Sequence, residues 1–82
     1  MNTLTELLQI VGNQLNKKPE AISLNADLYE DLGADDLDRV ENALEIERGF
    51  GVTISDDAEF GARTVEDLWC LANGKPLPPR EA

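Results

Sequence analysis

Leu4, Leu7, Leu8, Val11 and Leu15 fall at offsets 0, 3, 4, 7 and 11, which places them on one face of a helix. Thr3 and Glu6, just ahead of that face, form the T-x-x-E pattern of a capping box. Gly12 weakens the helix interior slightly. Pro19 restricts Lys18 and ends the helix near Asn16. A second helix is predicted from Asp36 to Phe50, with Asp35 as its N-cap and Asp38 three residues on. It carries two adjacent apolar stripes, Leu37, Val40, Leu44 and Ala43, Ile46, Phe50, so contacts on two sides are expected. Gly49 and Gly51 mark its end. Ser55, followed by two acids, opens a short third helix to about Phe60, and Gly61 stops it. Thr64 and Asp67 cap a last helix with Val65, Leu68, Leu71 and Ala72 inward, and Asn73-Gly74 closes it.

Residues 19 to 35 form a long connection. Ile22, Leu24, Leu28 and Leu32 pin it to the core, a turn is expected over Asn25 to Leu28, and Gly33 frees the backbone before the second helix. Val52-Thr53-Ile54 is the one β-prone triplet, too short for a strand. The architecture is therefore all-α: three longer helices, one short one and a long loop between the first two. The domain takes residues 1–74, and 75–82, with Pro76, Pro78 and Pro79, form a mobile tail.

Charge narrows the function. Seventeen acidic side chains against seven basic ones leave a net charge of −10. Phosphate backbones would repel this surface, so nucleic acid is not an expected partner. A basic protein surface is its complement, although solubility alone also accounts for such a balance. With no histidine, Ser-His, Cys-His and His-metal chemistry are absent together. A catalytic carboxylate pair needs a concave pocket to separate two pKa values, and a helical chain of 82 residues has little room for one. An EF-hand fails on spacing, since counting from Asp27 the third residue is Tyr29 and the sixth is Leu32. Cys70 is alone, cannot form an intrachain disulfide and reads as a small core residue. No apolar run is long enough to span a membrane, and no basic-then-apolar leader precedes the first helix. A cytoplasmic monomer is expected.

Residues 31 to 38 read Asp-Leu-Gly-Ala-Asp-Asp-Leu-Asp. The run resembles the D-L-G-A-D-S-L-D signature of bacterial acyl carrier proteins, with Asp36 in place of the serine. The likeness extends through Val40-Glu41, Phe50, Ile54, Asp56 and Thr64-Val65, over roughly residues 3 to 74. It implies a four-helix acyl-carrier-protein fold. It also implies that residue 36 is where 4′-phosphopantetheine would be esterified if a serine stood there. Asp36 has no hydroxyl, so no prosthetic group is expected on this sequence. An ionised Asp keeps the single negative charge a phosphodiester would bring, and an acid in the first turn is also a favourable partner of the helix dipole. Ser23 in the loop and Ser55 at a helix cap are the other serines, and neither is expected to take over.

The resemblance further implies that Asp35, Asp38, Glu41 and Glu47, with Leu37, Val40, Ile54 and Asp56, meet basic patches on acyl-chain enzymes. A solvated acidic helix face is the plainer account of the same charges. Besides Asp36, four residues depart from the family pattern. Arg39 and Arg48 weaken the negative field, and Gly49 loosens the helix end. Asn42 stands where the family has an apolar residue near its acyl cavity, where it needs hydrogen-bond partners or destabilises. Two readings follow: a carrier-type interaction module with no arm, acting as regulator, decoy or adaptor, or a conventional fatty-acid-type carrier whose serine was replaced to hold it in the apo form. A small acidic enzyme or metal protein is a third, with no ligand spacing to support it.

Overall fold

The computed structural model describes residues 3–78 and contains four α-helices: α1 (Leu4–Leu15), α2 (Asp36–Phe50), α3 (Asp56–Gly61) and α4 (Val65–Ala72). A single 3₁₀ turn, Pro19–Ala21, interrupts the long loop. Among the described residues there is no strand, only an isolated antiparallel bridge between Asp27 and Thr64.

Local chemistry sets the helix ends. Thr3 accepts from the Glu6 N–H at 3.2 Å, opening α1. Asn16 closes it in the left-handed region at φ 59°, a conformation Asn tolerates better than most residues. Asp35 and Asp38 form a reciprocal capping box at the start of α2, and Gly51 ends it at φ 68°. Ser55 accepts from the Ala58 N–H, and Thr64 and Asp67 form a second reciprocal box at α4. Helix α3 runs one residue beyond its expected stop, through Gly61, and closes at Ala62.

Leu7 and Val11 of α1, Ile46 and Phe50 of α2, and Val65, Leu68 and Leu71 of α4 form the core, joined by Ile22, Leu28 and Leu32 from the loop. The Phe50 and Trp69 rings meet edge-on, 6.2 Å between centroids. The loop is also stitched to the start of α4 by backbone. Leu28 N–H donates to Arg63 O at 2.8 Å, Glu66 N–H to Leu24 O at 3.0 Å and Val65 N–H to Ala26 O at 3.2 Å.

Several expectations need correcting. The turn lies earlier than Asn25 to Leu28: Ala26 N–H closes on Ser23 O, and a second turn then runs from Asp27 to Leu32. Only one of the two stripes on α2 is buried. Ala43, Ile46 and Phe50 are buried, with Phe50 against Trp69 of α4, whereas Leu37, Val40 and Leu44 stay exposed. Helix α3 meets α2 at Arg39, through Glu59 and Phe60, on a different side of the helix from Leu37, Val40 and Leu44. Cys70 is half-buried and lies outside the apolar cluster. Gly12 is a close-approach position, because Lys17 N–H folds back to donate to Gly12 O at 2.9 Å and a Cβ on Gly12 would lie 2.5 Å from Lys17 O. Within the tail, Lys75 N–H donates to Cys70 O and Leu77 packs against the core beside Gly61. Residues 79–82, the rest of the expected mobile segment, lie outside the described residues.

Candidate functional site

Asp36 is the first residue of α2, and its side chain is 89% exposed. Gly33, at φ 73°, turns the chain into the cap, and Leu32 and Ala34 are buried on either side of it. The loop is thus anchored right up to the helix, which fixes residue 36 at a rigid corner. The capping box occupies its neighbours: Asp35 Oδ1 accepts from the Asp38 N–H at 2.8 Å, and Asp38 Oδ2 accepts from the Asp35 N–H at 3.1 Å. Asp36 itself offers a carboxylate and no hydroxyl. A phosphate ester needs an alcohol oxygen, and a carboxylate in its place would give a hydrolysable acyl phosphate instead.

The surface beside it is acidic and apolar together. Leu37 is 64% exposed, and Val40 and Leu44 continue the strip along α2. Glu41 is exposed next to it, and Asp56 is exposed in the first turn of α3. Besides Asp35 and Asp38 in their capping box, two more expected contact residues are engaged internally. Glu47 is half-buried and accepts from the Ile54 N–H at 2.7 Å, tying the α2–α3 connection back to α2, and Ile54 packs against the core. The structure therefore brings Asp35, Asp36, Leu37, Asp38, Val40 and Glu41 together on the first two turns of α2, and gives Glu47 and Ile54 roles within the fold.

Arg39 does not lie open on the acidic face. Its side chain is 16% exposed, with Nε 3.8 Å from Glu59 Oε1 and Nη2 3.9 Å from Asp36 Oδ1. Its guanidinium carbon lies 5.0 Å from the centre of the Phe60 ring and 5.9 Å from that of Tyr29, within cation–π range. Arg48, by contrast, is exposed and pairs with Glu45 at 3.1 Å. Asn42 is 1% exposed, and neither its Oδ1 nor its Nδ2 has a hydrogen-bond partner in the protein. The requirement that a buried Asn find partners is thus unmet here.

Phe60, at 73% the most exposed of the large apolar side chains among the described residues, and Tyr29 and Glu59 were not singled out from the sequence. For Phe60 a signal was available: its neighbours three and four positions away, Asp56, Asp57, Arg63 and Thr64, are all polar, so it lies off any apolar face. Nothing local marked Tyr29 or Glu59.

Neither other serine resembles an attachment point. Ser23 Oγ accepts from the Asn25 N–H in a loop turn, and Ser55 Oγ caps α3. Among the described residues no group of three or more His, Cys, Asp or Glu could hold a metal ion, and no helix is long and apolar enough to cross a membrane. Open grooves of about 360 Å³, between α1 and α2 beside Ile10 and Gly49, and about 400 Å³, beside Ile54 and Leu71, do not have Asp36, Arg39 or Asn42 in their walls.

Residues 5–69 match the family model described as the phosphopantetheine attachment site. The chain is 39% identical over 72 residues to the acyl carrier protein of Thermosynechococcus vestitus, covering 88% of this chain and 89% of that protein. It is 40% identical over 67 residues to that of Phaeodactylum tricornutum, covering 82% and 88%. Among solved structures, the apo doublet acyl carrier protein from prodigiosin biosynthesis superposes with a TM-score of 0.74 at 20% identity, over 96% of this chain and 38% of that one. That last likeness concerns the fold alone.

Proposed function

The chain belongs to the acyl carrier protein family, and from that premise we propose that it is a docking module of the family that carries no arm. Acyl carrier proteins are carriers and not enzymes, and they interact with the enzymes of acyl-chain synthesis. In this reading the chain presents the start of α2 to basic patches on acyl-chain synthesis or transfer enzymes, of fatty-acid or polyketide type, and is not loaded at residue 36.

The observation that carries the reading is the exposed Asp36 carboxylate at the rigid first position of α2. It holds one negative charge where an esterified serine would hold one, so a partner that approaches by charge meets a similar field. Long-range attraction between a chain of net charge −10 and a basic patch speeds encounter. Leu37 and Val40 then supply apolar area at the point of contact. Asp35, Asp38 and Glu41 set the register, and Asp56 extends the acidic rim to α3. Nucleic acid is no partner of such a surface, and the chain acts as a cytoplasmic monomer.

The test is incubation with a phosphopantetheinyl transferase and coenzyme A, read by intact mass. The expected result is an unchanged mass for the protein and a gain of one arm for Asp36→Ser. A gain on the unaltered chain overturns the reading. A second reading is favoured by the intact remainder of the 31–38 run and its capping box: a conventional acyl carrier of lipid biosynthesis whose serine was replaced by Asp to keep it in the apo form. A coding sequence with serine at position 36 would establish it.

A further inference from the structure

The joint between α2 and α3 holds a charged side chain among aromatic rings. Arg39 lies in it, between the rings of Tyr29 from the loop and Phe60 from α3, with Glu59 of α3 at 3.8 Å. Its Nε is buried and, at that distance, has no hydrogen-bond partner. One turn further along α2, Asn42 is buried with its whole carboxamide unpartnered, and the Tyr29 hydroxyl is buried and unpartnered as well. Because Arg39 also faces Asp36 at 3.9 Å, residue 36 stands at the mouth of this joint.

We propose that Arg39 and Asn42 are specificity-determining residues that close the α2–α3 joint to an alkyl chain, so that a chain tethered at residue 36 stays in solvent. An alkyl chain entering there would have to displace a guanidinium from between two rings and strip it from Glu59. It would then lie against a carboxamide and a hydroxyl with no partners. Burying apolar surface against unsatisfied polar groups forfeits most of the gain that burial brings. The substitutions at Arg39 and Asn42 act together, since the first fills the entrance and the second makes the wall behind it polar. This deepens the reading of the chain as a module that carries no acyl group, but its test uses no transferase, so the two ideas fail separately.

The experiment places Asp36→Cys in a Cys70→Ala background and labels it through a disulfide with a methyl or an octyl group. With Arg39 and Asn42 in place, the octyl and methyl forms should melt within about 1 °C of each other, and the octyl protons should show no cross-relaxation with Ile46, one turn beyond Asn42. Adding Arg39→Ala and Asn42→Leu should let the octyl form melt about 5 °C or more above its methyl control, with cross-peaks to Ile46. Arg39→Met with Asn42→Leu serves if the alanine variant does not fold. Cross-peaks to Ile46 in the unopened joint overturn the proposal. So does an opened, folded variant that still leaves the octyl chain in solvent.

Discussion

Arg63 and Asp27, 36 positions apart in the chain, meet across the junction between the long loop and α4, with Arg63 Nη2 donating to Asp27 Oδ2 at 3.3 Å. The same carboxylate accepts from the Tyr29 and Glu30 N–H groups at 2.9 Å each. One side chain therefore both shapes the turn that leads toward residue 36 and ties it to the last helix. Asp27→Ala should lower the melting temperature more than Asp57→Ala, an exposed acid in α3, and should speed amide exchange at Tyr29 and Glu30. Equal melting for the two variants would remove Asp27 from this role.

The Glu30 N–H bond in first place, with that from Tyr29 and the Arg63 charge, holds the Asp27 carboxyl below the usual carboxylate range against the opposing effect of desolvation. A group whose folded pKa is depressed stabilises the fold above its unfolded pKa, and that stabilisation is lost as pH falls through the folded value. The stability difference between the protein and Asp27→Asn should therefore be constant above about pH 5 and shrink progressively below about pH 4. Urea titrations at a series of pH values measure it. A difference that grows on acidification contradicts the assignment.

Asn42 carries two buried polar atoms with no partner, an arrangement that costs stability. Asn42→Leu, which keeps the branched shape and replaces the amide atoms by methyl groups, should raise stability by about 1–3 kcal/mol, seen as a higher urea midpoint at an unchanged slope. A lower midpoint would mean that the carboxamide is satisfied in solution.

Gly12 sits inside α1, where helix propensity alone makes Ala better by about 1 kcal/mol. A Cβ there would lie 2.5 Å from the backbone oxygen of Lys17, and a backbone cannot swing aside as a side chain can. Gly12→Ala should therefore destabilise, by about 1–3 kcal/mol once the clash has outweighed propensity. A stabilised variant would show that the turn after α1 relaxes freely.

Thr64 Oγ1 accepts from the Asp67 N–H at 3.2 Å, in a box whose return bond runs from the Thr64 N–H to Asp67 Oδ2 at 3.1 Å. Thr64→Ala should cost about 1 kcal/mol, whereas Thr64→Ser should be nearly neutral. Thermal unfolding of the pair separates loss of the cap from loss of the methyl group.

Helix limits and caps were legible along the chain because they are local. Thr3, Asp35, Ser55 and Thr64 each satisfy an N–H three residues away, and Gly51 and Gly74 take the positive φ that closes a turn. The run from Asp31 to Asp38 likewise carried the family and the acidic start of α2 in its own residues. Which stripe of α2 is covered, where Arg39 points and whether Asn42 finds a partner were not legible. Each depends on the distance to a group on another element: α3 meets α2 at Arg39 and leaves Leu37 open, and Glu59 and Tyr29 reach Arg39 only after the loop has docked. Hydrogen bonds three residues apart follow from sequence spacing, whereas contacts twenty residues apart exist only once the core has brought the helices together.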